Sequence, residues 1–312
     1  MNKPAWVAFW ILGTIWGSSF LLIRIGVEDM SAAQVVLIRA VIAAIGLNLV
    51  RIWRGYAIPR DWATRRALII IGIGNATIPY TLISLGEQNI TSGMAAVLQA
   101  TASLFALITA HLAFADERIN KQKVIGLVVG FLGIIALSGN AITDGEIDTP
   151  VLLGQLAVIA ASFFYAIFTV YIRKMIKSNI APIVVSSTSF IASALGAAVF
   201  VILEPLVGGR AFVPFADLPA KVLGAVFLLG FLNTFIAYLF FYFVVQQLGA
   251  FRAVMVTYVV PVIGMILGVV VLNEIVTINM IIGAVMIFAG IAIINIKPDA
   301  LRRRLFSAAT PG

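Results

Sequence analysis

Ten runs of about 20 mostly apolar residues dominate this chain, each long enough to cross the hydrocarbon core of a bilayer as a helix. They fall at residues 5–26, 32–50, 67–86, 93–114, 123–140, 151–172, 182–203, 221–245, 251–272 and 277–296. In lipid every backbone N–H and C=O must be satisfied within the protein, so such runs, separated by short breaks, fold as helices. The longest break, residues 204–220, holds Pro205, Gly208, Gly209, Pro214 and Pro219. That is a loop composition, too short for a soluble domain. The expected fold class is an all-α membrane protein with ten transmembrane helices. Composition agrees: 62% of residues are hydrophobic and 11% charged, against about 45–50% and 25% in soluble domains. The first run exceeds the apolar core of a signal peptide. Arg24, Glu28 and Asp29 also precede the first small-residue cluster, so it is read as a retained span.

Charge orients the spans. With the N-terminus cytoplasmic, the inner connections and the tail hold 17 of the 21 Lys and Arg, in clusters such as Arg51–Arg66, Arg118–Lys123, Arg173–Lys177 and Lys297–Arg304. The outer connections hold only Arg210 and Lys221, together with most of the acid, including Asp144, Glu146 and Asp148. This is the positive-inside pattern of an inner-membrane protein with both termini cytoplasmic. The formal charge of +8 is therefore an orientation signal, and no nucleic-acid partner is expected.

Several chemistries lack their residues. The chain has no cysteine and one histidine, His111, so no metal or other cofactor is expected. No Asp or Glu lies at the middle of a span, which leaves no evident midplane carboxylate for proton or sodium coupling. A lipid-modifying enzyme would need a His, Asp or Glu cluster at one membrane face, and none is present. The chain is not expected to be an enzyme.

Its two halves repeat. Asn75–Tyr80 matches Asn233–Tyr238 at an offset of 158, and the run from Ala96 to Gly133 matches Ala253 to Gly290 at an offset of 157. The second match pairs Glu117 with Glu274, Gly126 with Gly283 and Gly133 with Gly290. Each half has five spans, an odd number, so the second enters the membrane from the opposite face. Inverted repeats of this kind are typical of transporters, with substrate bound near the midplane between them. The division expected is residues 1–140, residues 151–296, and a basic cytoplasmic tail, 297–312.

Trp16-Gly17-Ser18-Ser19-Phe20 followed by Arg24, the motif Val36-Leu37-Ile38-Arg39-Ala40, and the endings Glu117…Gly126…Gly133 and Glu274…Gly283…Gly290 resemble the EamA repeat of the drug/metabolite transporter superfamily. The chain is also similar to the ten-helix, YddG-type amino-acid exporters of that superfamily. The resemblance implies export of small metabolites, amino acids foremost, by alternating access. Uptake or exchange of another neutral metabolite or of an amphipathic drug is the runner-up. The proline common in the fourth helix of such repeats is Leu104 here, whereas Pro261 is present in the ninth. A straighter fourth helix is expected.

Polar residues deep in the spans nominate a site, because polarity in hydrocarbon needs a reason. Trp16, Asn75, Tyr80, Gln99, Ser162, Tyr165, Asn233, Tyr238 and Tyr258 are the candidates for a central substrate cavity, at least five of the nine reaching it. Asn75 and Tyr80 are five residues apart, about 140° around a helix, so one lines the cavity while the other meets a neighbour. The bland alternative for any one of them is a helix–helix hydrogen bond, worth about 1 kcal/mol. Arg24 is read as snorkelling. Arg39 could pair with Glu28 or with a substrate carboxylate, and structural pairing is preferred. Gly126-x-x-x-Gly130 and Gly264-x-x-x-Gly268 read as close packing, with the fifth and tenth helices as scaffold or self-association face. The partners expected are the bilayer and a small-molecule substrate, the chain being a monomer or a weak homodimer.

Overall fold

The computed structural model describes residues 3–115, 118–139, 142–143, 146–175 and 180–295. The tail 297–312 and Glu117 lie outside the described residues. Among the described residues, ten helices are long and apolar enough to span a membrane: α1 (Lys3–Asp29), α2 (Ala32–Trp53), α3 (Trp62–Gly86), α4 (Ser92–Ala113), α5 (Lys121–Ser138), α6 (Thr149–Lys174), α7 (Pro182–Val207), α8 (Ala220–Leu248), α9 (Arg252–Leu272) and α10 (Ile278–Asn295). Besides them the described residues hold one short antiparallel pairing, Ile142–Thr143 with Glu146–Ile147. The ten expected spans are thus observed, with ends shifted by a few residues.

Helix starts follow local chemistry. The side chains of Ser31, Asp61, Thr91, Asn120 and Asp148 each accept from the backbone N–H three residues on, satisfying a first-turn donor that has no partner within the helix. α7 begins instead with Pro182, whose missing N–H is no loss there.

The major packing pairs are unchanged when helices 1–5 are exchanged with 6–10. α2 packs on α7, α4 on α9 and α5 on α10, each pair its own counterpart. α1 on α9 corresponds to α6 on α4, α3 on α6 to α8 on α1, and α3 on α7 to α8 on α2. A pseudo-two-fold in the membrane plane has this consequence. The α5–α10 contact depends on glycine: a Cβ on Gly126 would fall 2.7 Å from the Gly290 carbonyl oxygen. The glycine face of α5 is therefore used within the molecule, which removes it as a self-association surface.

The symmetry fails in one informative place. The first half of α4 also packs on α1, whereas α6 makes no comparable contact with the start of α9. The bundle is consequently closed at the end carrying loops 87–91 and 273–277, here termed the far end. It is looser at the end carrying the basic connections.

The expectation of a straighter fourth helix needs correction. α4 is interrupted at Ala100–Thr101, where bonds run three residues back from Ala100, Thr101, Ser103 and Leu104. α9 is interrupted at Met255, six residues before Pro261, with the same tightening from Met255 and Tyr258. Proline is not the cause in α4. The Thr101 hydroxyl donates to the Leu98 carbonyl at 2.6 Å, a side-chain bond that competes with the helical ladder. Leu104 is fully buried against Gly130.

Candidate substrate cavity

α3 and α8 each contain one π-helical turn, Ile73–Thr77 and Phe231–Ile236. In the first, the Ile78 N–H reaches Ile73; in the second, the Ala237 N–H reaches Leu232. In both, a threonine hydroxyl donates five residues back, Thr77 to Gly72 and Thr234 to Leu229. Such turns are rare and concentrate at functional sites. Here they carry the matched asparagines, Asn75 and Asn233, and lead directly to Tyr80 and Tyr238.

Beside these turns lies a cavity of about 410 Å³, within the ordinary range for small-molecule sites. Both halves build it. Trp16, Ser19, Phe20 and Ile23 come from α1, Arg39 from α2, Tyr80 and Ile83 from α3, and Ala96, Gln99 and Ser103 from α4. Tyr165 and Thr169 come from α6, Tyr238 and Phe241 from α8, and Thr257, Val260 and Pro261 from α9. Neither α5 nor α10 contributes a lining residue, as their role as scaffold requires.

Of the nine sequence candidates, Trp16, Tyr80, Gln99, Tyr165 and Tyr238 line this cavity. The other four are placed elsewhere in this conformation. Asn233 is fully buried and its amide donates to the Ile15 carbonyl and to the hydroxyls of Ser18 (2.8 Å) and Ser19 (3.2 Å), tying α8 to α1. Ser162 is fully buried, its hydroxyl 3.4 Å from the carbonyls of Leu98 and Gln99. It thereby braces the interruption of α4. Tyr258 accepts from the Asn295 amide at 3.2 Å, joining α9 to α10. Asn75 is half-buried and lies outside the lining. In both halves the tyrosine lines the cavity and the matched asparagine, which the repeat had nominated for it, does not.

Arg39 was undervalued by the sequence. Its side chain is 6% exposed. Nε donates to the Thr234 hydroxyl at 2.8 Å, and the guanidinium carbon stands 3.8 Å from the centroid of the Tyr80 ring. No carboxylate pairs with it among the described residues. Glu28 instead lies 3.7 Å from Lys221. Arg39 is the single charged residue of the lining, and its terminal amino groups have no acceptor among the described residues. A buried cation needs an anionic or hydrogen-bonding complement, and the geometry leaves that place to the cavity's contents. The available signal was its depth, eight residues into α2.

The aromatic side chains hold one another. Tyr80 meets Tyr165 edge-on at 6.4 Å between centroids, Tyr238 meets Phe190 at 5.3 Å, and Trp16 meets Phe241 at 5.5 Å. Trp16 is thus a wall of the cavity, while Phe163 is 43% exposed on the outer face of α6 and touches Phe105.

At the far end the cavity is closed by buried Phe20, Ile23 and Ile83. Two polar links lie beyond them. The Arg24 guanidinium, expected to snorkel, donates to the Glu87 backbone carbonyl. The Glu274 carboxylate accepts from the backbone N–H groups of Ser92 (2.7 Å) and Gly93 (3.0 Å) at the start of α4. Both N–H groups lack partners within the helix, and the helix dipole favours an anion there. Toward the basic end the lining passes through Thr169, Val254 and Thr257, all exposed.

The profile of the EamA-like transporter family matches residues 4–139 and again 152–296, once per half. An uncharacterized transporter of Archaeoglobus fulgidus is 27% identical over 257 residues, 82% of this chain and 86% of that protein. The uncharacterized transporter YoaV of Bacillus subtilis is 26% identical over 80% of this chain and 82% of its own length. The uncharacterized inner membrane transporter YedA of Escherichia coli is 31% identical over a shorter stretch, 54% of this chain and 53% of that protein. A solved crystal structure, 18% identical, matches with a TM-score of 0.63 over 97% of this chain and 100% of that one, which shows the fold. Ten membrane-spanning helices built as two repeats, each matching the same profile, place the chain in the EamA-like transporter family.

Proposed function

We propose that this transporter exports small neutral or zwitterionic metabolites, amino acids foremost, from the cytoplasm across the inner membrane. The observation that carries this reading is the cavity's charge pattern: one buried cation, Arg39, amid neutral amides, hydroxyls and aromatic rings. A guanidinium presents parallel N–H donors that match a carboxylate. The aromatic walls supply apolar contact to a side chain, and Gln99, Ser103, Thr169 and Thr257 offer hydrogen-bonding groups to the remaining polar end. A phosphorylated or multiply anionic substrate would call for more than one cation.

The basic connections support an orientation, and export is the direction proposed for it. With the positive-inside arrangement, the cavity's looser end faces the cytoplasm and the closed far end faces outward. The structure is then the loading state of an exporter. The inverted repeat supports a counterpart state in which α6 closes on α9 and α1 parts from α4.

A counterflow screen in proteoliposomes tests the reading. Free amino acids with apolar or aromatic side chains are expected to exchange, and their methyl esters, which lack the carboxylate, are not. Equal exchange of acids and esters would overturn carboxylate recognition. Transport confined to amphipathic cations would favour the drug-exporter alternative.

A further inference from the structure

The far end contains a group that the cavity does not use. Glu87, the residue after the last of α3, is fully buried, and both of its carboxylate oxygens lack a hydrogen-bond partner. It stands one turn beyond Ile83, which lines the cavity, behind the closure described above. Burying an ionised carboxylate with no partner costs several kcal/mol, on the order that makes a group neutralise instead.

We propose that Glu87 is a proton-binding site that couples closure of the far end to uptake of one proton. When the far end is open, loop 87–91 is solvated and the carboxylate ionises. When α1, α4 and Glu274 come together over it, the carboxylate takes a proton from the far-side solvent and is buried as the neutral acid. No other bond forms or breaks.

The surroundings agree with this assignment. Burial is the larger influence holding Glu87 well above the usual carboxylate range, and the Glu274 carboxylate adds to it; Arg24 and Arg39 act in the opposite sense without cancelling it. α6 packs on this end of α3 through Gly154 against Gly86. The charged residue at this end of α6 is the exposed Asp148, which caps α6 itself. Arg24 contributes its hydrogen bond to the Glu87 carbonyl, not to its carboxylate. The Gln88 Nε2, on the next residue, is likewise buried without a partner, and no cation pairs with the carboxylate among the described residues.

The sign is fixed by linkage. The proton binds more tightly in the closed state, so closure is favoured at low pH. It is lost as pH rises from the ordinary glutamate range through the raised value of the closed state. Within that window the closed-to-open ratio should fall up to about tenfold per pH unit.

The chain has no cysteine, so spin labels at Asn89→Cys and Ile275→Cys report the far-end gap without background. Distance distributions are recorded on the full chain without substrate between pH 5 and 9, which keeps the outcome independent of what is transported. A short-distance population that gives way to a longer one as pH rises is expected. Glu87→Gln should hold the short distance at every pH, and Glu87→Asp should retain the slope. Glu274→Gln should weaken closure but keep its pH dependence. An unchanged slope in Glu87→Gln would overturn the proposal, as would a wild-type distribution insensitive to pH. Should Glu87→Gln fail to fold, the slope of Glu87→Asp decides: its absence overturns the proposal, and its presence together with proton uptake on closure, read by a pH dye, supports it.

Discussion

Arg39 and Tyr80 meet face on, the guanidinium carbon 3.8 Å from the ring centroid, with Thr234 of the second π-helical turn fixing the arginine's Nε at 2.8 Å. One residue from α2, one from α3 and one from α8 thus hold a planar cation at a set angle in the cavity wall. The stacking and the Nε bond occupy the ring-facing plane and one edge of the guanidinium, leaving its terminal amino groups for a ligand. Cation–π contact of this kind contributes about 0.5–2 kcal/mol, enough to orient the side chain without neutralising it.

Arg39→Gln should weaken substrate binding by about 10- to 150-fold, the range set by roughly 1.5–3 kcal/mol for a charge-assisted hydrogen bond. Arg39→Lys keeps the charge but loses the fork and the Thr234 bond, so it should recover only part of the loss. Equilibrium binding to purified protein, with melting temperature recorded in parallel, separates this from a folding defect. Full activity in Arg39→Gln would remove the residue from the site.

Glu274→Ala should release the start of α4. The two backbone N–H groups it caps, on Ser92 and Gly93, would lose an anionic acceptor in a partly buried setting, worth about 1–2 kcal/mol. The far end should then open more often, by roughly 5- to 30-fold. A single cysteine at Ala96, which lines the cavity and is fully buried, should react correspondingly faster with a membrane-impermeant thiol reagent applied to that face. A reaction rate unchanged from the parent would show that the cap does not restrain the gate.

Gly126→Leu should act on stability alone. The new side chain would meet the Gly290 carbonyl and Ile294, separating α5 from α10, and overpacking of this kind costs about 1–3 kcal/mol. Because neither helix lines the cavity, transport per folded molecule should stay near the parent value while the melting temperature falls. A selective loss of transport at unchanged melting temperature would mean that the scaffold pair takes part in the cycle.

The architecture was legible because lipid imposes so few options. Span length, the odd number of helices per half and the collinear matches together specified ten helices in an inverted pair of repeats. The cavity was legible in part. Tyr80 and Tyr238 follow from the repeat, since the same residue recurs five positions past the same asparagine. What could not be read was how each asparagine is used. Asn233 sits in a π-helical turn whose extra residue rotates it onto α1, and no periodicity in the sequence announces that turn. Arg39 was hidden by a sound habit, that of giving a buried cation a nearby acid; Glu28 lies on the surface with Lys221 instead. The interruption of α4 was missed because proline was taken as its signal, whereas Thr101 and the packing of Leu104 accompany it. Glu87 falls just past a span, where a carboxylate looks solvated until the tertiary fold covers it.

The contrast between Gln99 and Asn233 gives the sharpest test of the cavity. Both are amides deep in the bundle, and the sequence placed both in one site. Gln99 lines the cavity, just before the interruption of α4, while Asn233 is fully buried with its amide committed to α1. Removing a polar contact to substrate costs about 1–3 kcal/mol, so Gln99→Ala should lower apparent affinity about 5- to 150-fold and leave the melting temperature nearly unchanged. Asn233→Ala deletes the bonds between α8 and α1 and takes a partner from the Ser18 and Ser19 hydroxyls. It should lower the melting temperature and spare transport per folded molecule. The two variants are to be measured side by side, for binding and for thermal unfolding. If Gln99→Ala instead proves unstable with normal affinity, α4 contributes structure rather than contact. The substrate would then have to be held from α1, α2, α3, α6, α8 and α9.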